Sequence, residues 1–188
     1  LGPISPDRML TRGGGKVGDD VYVTGSLGDS AAGLELFSKG IHEIGPHHAA
    51  LIARFLKPTP RVEEGRVLSS LASAAIDISD GLLADLGHIC EASDCGAVID
   101  VGRVPLSPDL ATLFPKEAAQ AHALGGGDDY ELCFTAAPAQ AEAVERAMST
   151  VGTAAHSIGR LVAGEGVTCQ RNGETFSPPS SGYVHFSS

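Results

Sequence analysis

The alternation of apolar and polar residues divides the chain into short strands and amphipathic helices. Val21-Tyr22-Val23-Thr24-Gly25 reads as a strand, Ser26-Leu27-Gly28 as a turn, and Asp29 to Phe37 as a helix. His47 to Leu56 forms a second helix that stops before Pro58. Lys57-Pro58-Thr59-Pro60-Arg61 is a rigid turn, with Pro60 near the start of a third helix running to about Ser70. Ala74 to Ile78 is a short apolar strand that turns at Ser79-Asp80-Gly81. A helix follows with Leu82, Leu83, Leu86 and Ile89 on one side. Cys95 to Val101 is the next strand. Pro105, Pro108 and Pro115 then punctuate a loop-rich segment with one or two short helices. After Gly125-Gly126-Gly127, the expected strand puts Tyr130, Leu132 and Phe134 on one face. Ala139 to Met148 is helical, His156 to Leu161 extended, and Asn172-Gly173 marks a hairpin between Val167–Cys169 and Glu174–Phe176.

Helix pairs interrupt the strand–helix alternation. The pattern therefore predicts an α/β (α+β) mixed layered domain rather than a doubly wound parallel sheet. Residues 1–20 are rich in Gly, Pro and charge and are expected to form a lead-in linker; residues 21–188 make one domain.

Composition narrows the partners. Twenty-three Asp and Glu stand against 13 Lys and Arg, a net charge of −10. Nucleic acid and anionic membrane both call for a basic footprint, so neither is expected as a partner. A phosphorylated small molecule stays admissible if a divalent cation mediates. No apolar run approaches the length of a membrane span. Cys90, Cys95, Cys133 and Cys169 include no CxxC pair and read as reduced, mostly buried thiols of a cytoplasmic protein. The chain begins at Leu1 without Met, as a fragment or processed piece would.

Candidate chemistry gathers at two acidic turns. In the first, strand alternation sends Asp77 and Ser79 to one face, with Asp80 at the start of the helix that follows. Two carboxylates and a hydroxyl beside unpaired backbone N–H groups suit Mg²⁺ with phosphate beside it. On this stretch alone the default is Asp80, or Ser79, as a helix cap, with Asp77 paired to a distant Lys or Arg; the second acidic turn shifts the balance. The second turn is Gly125-Gly126-Gly127-Asp128-Asp129, where glycines admit a ligand close to the backbone before a buried strand. A weaker signal is the strand–turn–helix over Gly25, Gly28 and Asp29, a phosphate seat or simply a tightly packed helix start. Ala31, Ala32 and Gly33 are small enough there for close approach of backbone or ligand. Gly13-Gly14-Gly15-Lys16 is not a P-loop: Val17 follows the lysine, and no strand leads in. Lys57 and Arg61 either face phosphate or pair with surface acids, the second being the default. Tyr183 either stacks on a ligand ring or closes the core.

Together these motifs resemble the C-terminal half of the thiamine-monophosphate kinase family, within the superfamily of aminoimidazole-ribonucleotide synthetase and selenophosphate synthetase. The resemblance runs from Leu10-Thr11-Arg12 to Phe186. It rests on Val23-Thr24-Gly25-Ser26-Leu27-Gly28-Asp29-Ser30-Ala31-Ala32-Gly33-Leu34, Pro58-Thr59-Pro60-Arg61, Ile76-Asp77-Ile78-Ser79-Asp80-Gly81-Leu82, Asp85-Leu86-Gly87-His88-Ile89, Gly126-Gly127-Asp128-Asp129-Tyr130-Glu131-Leu132 and Gly182-Tyr183-Val184-His185-Phe186. It implies the C-terminal domain of the aminoimidazole-ribonucleotide synthetase-like fold, and transfer of the ATP γ-phosphoryl to thiamine monophosphate. By the same resemblance Asp77 and Asp80 match Mg²⁺ ligands and Ser79 a nucleotide contact. Asp128 matches a substrate contact, where the family commonly has Glu, and Tyr183 an aromatic position at the substrate ring. The family's N-terminal domain, which carries further Mg²⁺-binding acids and a homodimer interface, has no counterpart in these residues, so half an active site is expected. A sister ATP-dependent synthetase domain, or a non-catalytic domain retaining the fold, are the alternatives.

Overall fold

The computed structural model describes residues 9–41 and 45–177. Its strands are β1 (Asp20–Thr24), β2 (Ala74–Asp77), β3 (Gly96–Asp100), β4 (Leu132–Ala136), β5 (Ala155–Val162), β6 (Gly166–Arg171) and β7 (Glu174–Phe176). They form one sheet in the order β2-β4-β1-β5-β3-β6-β7. Every neighbouring pair is antiparallel except β3 with β6. The helices are α1 (Asp29–Ser38), α2 (Pro46–Leu56), α3 (Val62–Leu68), α4 (Leu82–Ala92), α5 (Pro108–Leu113), α6 (Lys116–Gly125) and α7 (Ala141–Val151), with a 3-10 turn at Pro138–Gln140. The mixed layered architecture expected from the sequence is the one observed.

Strand periodicity builds two cores back to back. Val21, Val23, Ala74, Ile76 and Cys133 face α4 and α6, meeting Leu82, Leu86, Ile89 and Leu124. Their alternates Tyr22, Ala75, Leu132 and Phe134 face α3 and α7, meeting Leu68, Val144 and Met148. Tyr22 and Phe134 stack with ring centroids 5.1 Å apart. A third cluster joins α1, α2, α5 and α6 through Ala32, Leu36, Leu51, Leu110 and Ala119. Gly33 lets α1 and α2 touch: a Cβ there would stand 2.2 Å from the Leu51 carbonyl oxygen. The small residues at the start of α1 thus serve helix packing.

Two expectations change. Tyr130 precedes β4 rather than sharing its face with Leu132 and Phe134. Its φ is +50° and its ring is exposed, whereas Leu132 and Phe134 belong to the sheet. The stretch before β1, expected as a linker, is stitched to the domain over the residues described. Thr11 C=O accepts the Ala75 N–H at 2.9 Å, Gly15 N–H donates to Ser93 Oγ at 3.1 Å, and Asp19 is buried and accepts from Ser73 Oγ.

Candidate active site

The first acidic turn is held in shape from inside α4. Ser79 N–H and Asp80 N–H both donate to Asp85 Oδ2, at 2.9 and 3.0 Å. Asp80 is therefore not the cap of α4; Gly81 occupies that position without a side-chain bond. Asp85 satisfies the turn instead, one helical turn further on. It is buried, and burial raises its pKa against the opposing pull of the backbone N–H groups. Asp77 lies at the exposed end of β2, opposite Leu132.

The second acidic turn pairs with the first. Asp128 N–H donates to Ser79 C=O, Tyr130 N–H to Ile78 C=O, and Ile78 N–H to Glu131 C=O, all at 2.8–2.9 Å. This short ladder extends the β2–β4 pairing and fixes the two turns against each other. Along it the side chains alternate. Asp128 and Tyr130 point outward with φ of +65° and +50°, while Asp129 and Glu131 are fully buried.

The outward residues form an acidic rim. Tyr130 Oη donates to Asp128 Oδ1 at 3.1 Å. The Tyr130 pKa is raised by that hydrogen bond and by the charge of Asp128, with smaller contributions from burial and from Asp77 and Asp80. One phenol thus feels all three carboxylates that sequence reasoning selected. Beside it, Ser30, Leu34, Ser79, Asp80, Gly127 and Asp128 line a cavity of about 370 Å³. Ser79, Asp80 and Asp128 are brought together there. Tyr183 lies outside the described residues.

The inward residues are ion-paired or capped. Glu131 accepts from Thr24 Oγ1 at 2.6 Å, Arg54 Nη2 at 2.8 Å, and Arg61 Nε and Nη2 at 2.7 and 2.6 Å. Arg61 also reaches Glu64. The default expectation for Arg61, a surface acid, is corrected: its main partner is a carboxylate with no solvent exposure. Gly25 leaves room for that carboxylate, since a Cβ would come within 2.6 Å of Oε1. Asp129 accepts the Gly28 N–H at 2.7 Å and the Ser30 N–H at 3.2 Å. Asp29 accepts from Ser107 Oγ at 2.6 Å and Ser26 Oγ at 3.1 Å. At the phosphate seat expected of Gly25, Gly28 and Asp29, the backbone donors already have a partner. The Gly28 and Ser30 N–H groups are taken by the chain's own Asp129 carboxyl group. Burial pushes the Asp129 pKa up to about 7, outweighing its two backbone donors, and burial also raises Asp29.

The rim suits a hard cation in donor type. Mg²⁺ keeps several waters and takes one or two carboxylates plus substrate phosphate oxygens. Asp77 and Asp80 are the two carboxylates that the resemblance assigns to such an ion. Among the described residues no group of three or more His, Cys, Asp or Glu could hold a metal ion. The four cysteines are free and buried, and burial raises the Cys90 pKa to about 11. Among the described residues no helix is long and apolar enough to cross a membrane.

Sequence reasoning missed the bracing residues: Asp85, Asp129, Glu131 and Arg54. Asp85, Asp129 and Glu131 lay inside quoted motifs, but their partners are far away in sequence. Acids within or beside apolar elements were the available signal, because an unpaired acid cannot be buried cheaply.

Residues 16–172 match the family described as AIR synthase related protein, C-terminal domain. The chain belongs to this family. AIR synthase related C-terminal domains are thus the frame for its nearer relatives. The chain is 44% identical to a thiamine-monophosphate kinase of Escherichia coli K12 over 187 residues, covering 98% of this chain and 58% of that enzyme. The thiamine-monophosphate kinase structure from Stenotrophomonas maltophilia K279a superposes with a TM-score of 0.85 at 40% identity, covering 92% of this chain and 56% of its own. A structure of AaThiL complexed with AMPPCP and TMP gives 0.79 at 35% identity, covering 95% and 55%. The chain therefore spans a little over half the length of the relatives it matches.

Proposed function

We propose that this chain supplies the C-terminal share of a thiamine-monophosphate kinase, which transfers the γ-phosphoryl group of ATP to thiamine monophosphate. The observation that carries the reading is the likeness to AaThiL, a protein complexed with an ATP analogue and TMP. The junction of two acidic turns around one cavity agrees with it.

The acceptor in such a reaction is a phosphate oxygen, already anionic, so no protein base is needed and positioning dominates. Asp77 and Asp80 would hold Mg²⁺, with Ser79 toward the nucleotide and Asp128 toward the acceptor. When bound, the ion neutralises charge on the transferring phosphoryl group. That matters here, because two unit charges about 4 Å apart repel by about 4 kcal/mol at an effective dielectric near 20. Asp85 keeps the Ser79-Asp80 turn from relaxing, and the ladder to Asp128 keeps the acceptor side in register with it. The part of the relatives' length not spanned here would carry the remaining acids, nucleotide contacts and a homodimer interface. Buried thiols suit a cytoplasmic setting.

The test is a coupled assay with ATP, Mg²⁺ and thiamine monophosphate, run on this chain and on the product of the full coding region. Thiamine diphosphate from the longer product alone is expected. Diphosphate from this chain alone would remove the half-site part of the reading; none from either would remove the reaction.

A further inference from the structure

One hydroxyl beside the cavity has no partner among the described residues. Ser30 is 1% exposed, and its Oγ makes no hydrogen bond. Its backbone N–H is spent on Asp129. As the second residue of α1, its i−4 carbonyl belongs to Ser26, outside the helix, so the back-bond common for serines inside helices is not made. Buried hydroxyls nearly always find a partner. Ser30 lines the cavity with Ser79, Asp80, Gly127 and Asp128, so an occupant of that cavity is where a partner can come from.

The surroundings select the chemistry of that occupant. Asp80 and Asp128 stand on the cavity wall, which disfavours a bare anion. The positive end of α1 offers no compensation, because Asp129 already occupies the Gly28 and Ser30 N–H groups. Leu34, 44% exposed, gives one apolar wall. The volume of about 370 Å³ is at the lower end of the range for small-molecule sites. The Leu34 wall, the Asp128 carboxylate, read above as facing the acceptor, and a hydroxyl that both donates and accepts match a flat heterocycle with an amino group beside a ring nitrogen.

We propose that Ser30 is a specificity-determining residue whose hydroxyl hydrogen-bonds the amino-substituted ring of the phosphate acceptor, the aminopyrimidine of thiamine monophosphate. This rests on the functional reading above. It assigns Ser30 to the acceptor's organic end and not to a phosphate or the nucleotide.

The test uses the full-length product with Ser30→Ala and, as a second variant, Ser30→Thr, which keeps the hydroxyl. Ser30→Ala should raise KM for thiamine monophosphate about tenfold, with kcat and the KM for ATP unchanged; Ser30→Thr should recover part of the loss. An acceptor analogue whose pyrimidine amino group is replaced by hydrogen should show the same rise with the parent enzyme and no further rise with Ser30→Ala. Thermal melts of both variants should match the parent. An unchanged acceptor KM in Ser30→Ala overturns the inference, as does a raised KM for ATP instead, an additive loss with the analogue, or a lowered melting temperature with unaltered KM. Failure of the parent itself to phosphorylate thiamine monophosphate would instead overturn the functional reading, and the inference with it.

Discussion

Asp128 and Tyr130 face outward, while Asp129 and Glu131, their immediate neighbours, are buried. The same acidic side chain serves opposite ends on the two faces of one short stretch. On the outer face, Asp80 and Asp128 line an open cavity, and Asp128 holds the Tyr130 hydroxyl. On the inner face, Asp129 is consumed by backbone donors and Glu131 by two arginines and a threonine. Acid content alone therefore says little about a site. What marks a bracing carboxylate is a partner set drawn from elsewhere in the fold and closed off from solvent, as at Asp129 and Glu131.

The contrast breaks most sharply at Glu131. Glu131→Ala leaves Arg61 and Arg54 without their shared anion, and removing one partner of a buried ion pair costs about 3–5 kcal/mol. Chemical denaturation should show that loss, with turnover falling only as folded protein is lost. On the outer face the expectation reverses. Asp80→Asn should lower turnover about 10²–10³-fold, the equivalent of about 3–4 kcal/mol, while the melting temperature stays put. Unchanged turnover at saturating Mg²⁺ would take Asp80 out of the ligand set. Asp85 stands between the two classes, buried yet bonded to the working turn. Asp85→Ala should cost about 1.5–3 kcal/mol in stability, the worth of hydrogen bonds to a charged group, and should lower kcat in protein that remains folded.

A further expectation concerns pH. The folded-state pKa of Asp129 is about 7, above the unfolded value near 3.9. Between those values the folded state binds the proton and the unfolded state does not. The contribution of Asp129 to stability is thus fully present below about pH 4 and is lost as pH rises toward 7. Subtracting the stability–pH curve of Asp129→Asn should isolate that decline; a difference that is flat from pH 4 to 7 would mean the carboxylate is ionised in the fold.

The elements themselves were legible. Alternation in Val21–Val23 and Ala74–Ile76 named the strands, and Leu82, Leu83, Leu86 and Ile89 named the buried side of α4. The two acidic turns were legible too, because short polar runs with glycine break apolar periodicity. Less readable was which acid faces which way. Asp129 and Asp128 are indistinguishable by type; their opposite fates follow from the pairing of Tyr130 N–H with Ile78 C=O, a contact across 52 residues counted from 78 to 130. The Glu131 cluster likewise depends on Arg54, Arg61 and Thr24 arriving from other elements, at separations of 77, 70 and 107 residues. Tyr130 was expected in the strand because its spacing from Leu132 and Phe134 fits a period of two. Its positive φ breaks that period two residues before the register begins.

The inward–outward alternation of residues 128–131 has a consequence for sequence length. Asp128 and Glu131 are both anchored through their backbones to the Ile78–Ser79 segment, so the stretch between them has no slack. Inserting or deleting one residue would exchange the faces, turning Glu131 toward solvent and driving Tyr130 into the space of the arginines. Substitutions here can be graded, but changes in length cannot.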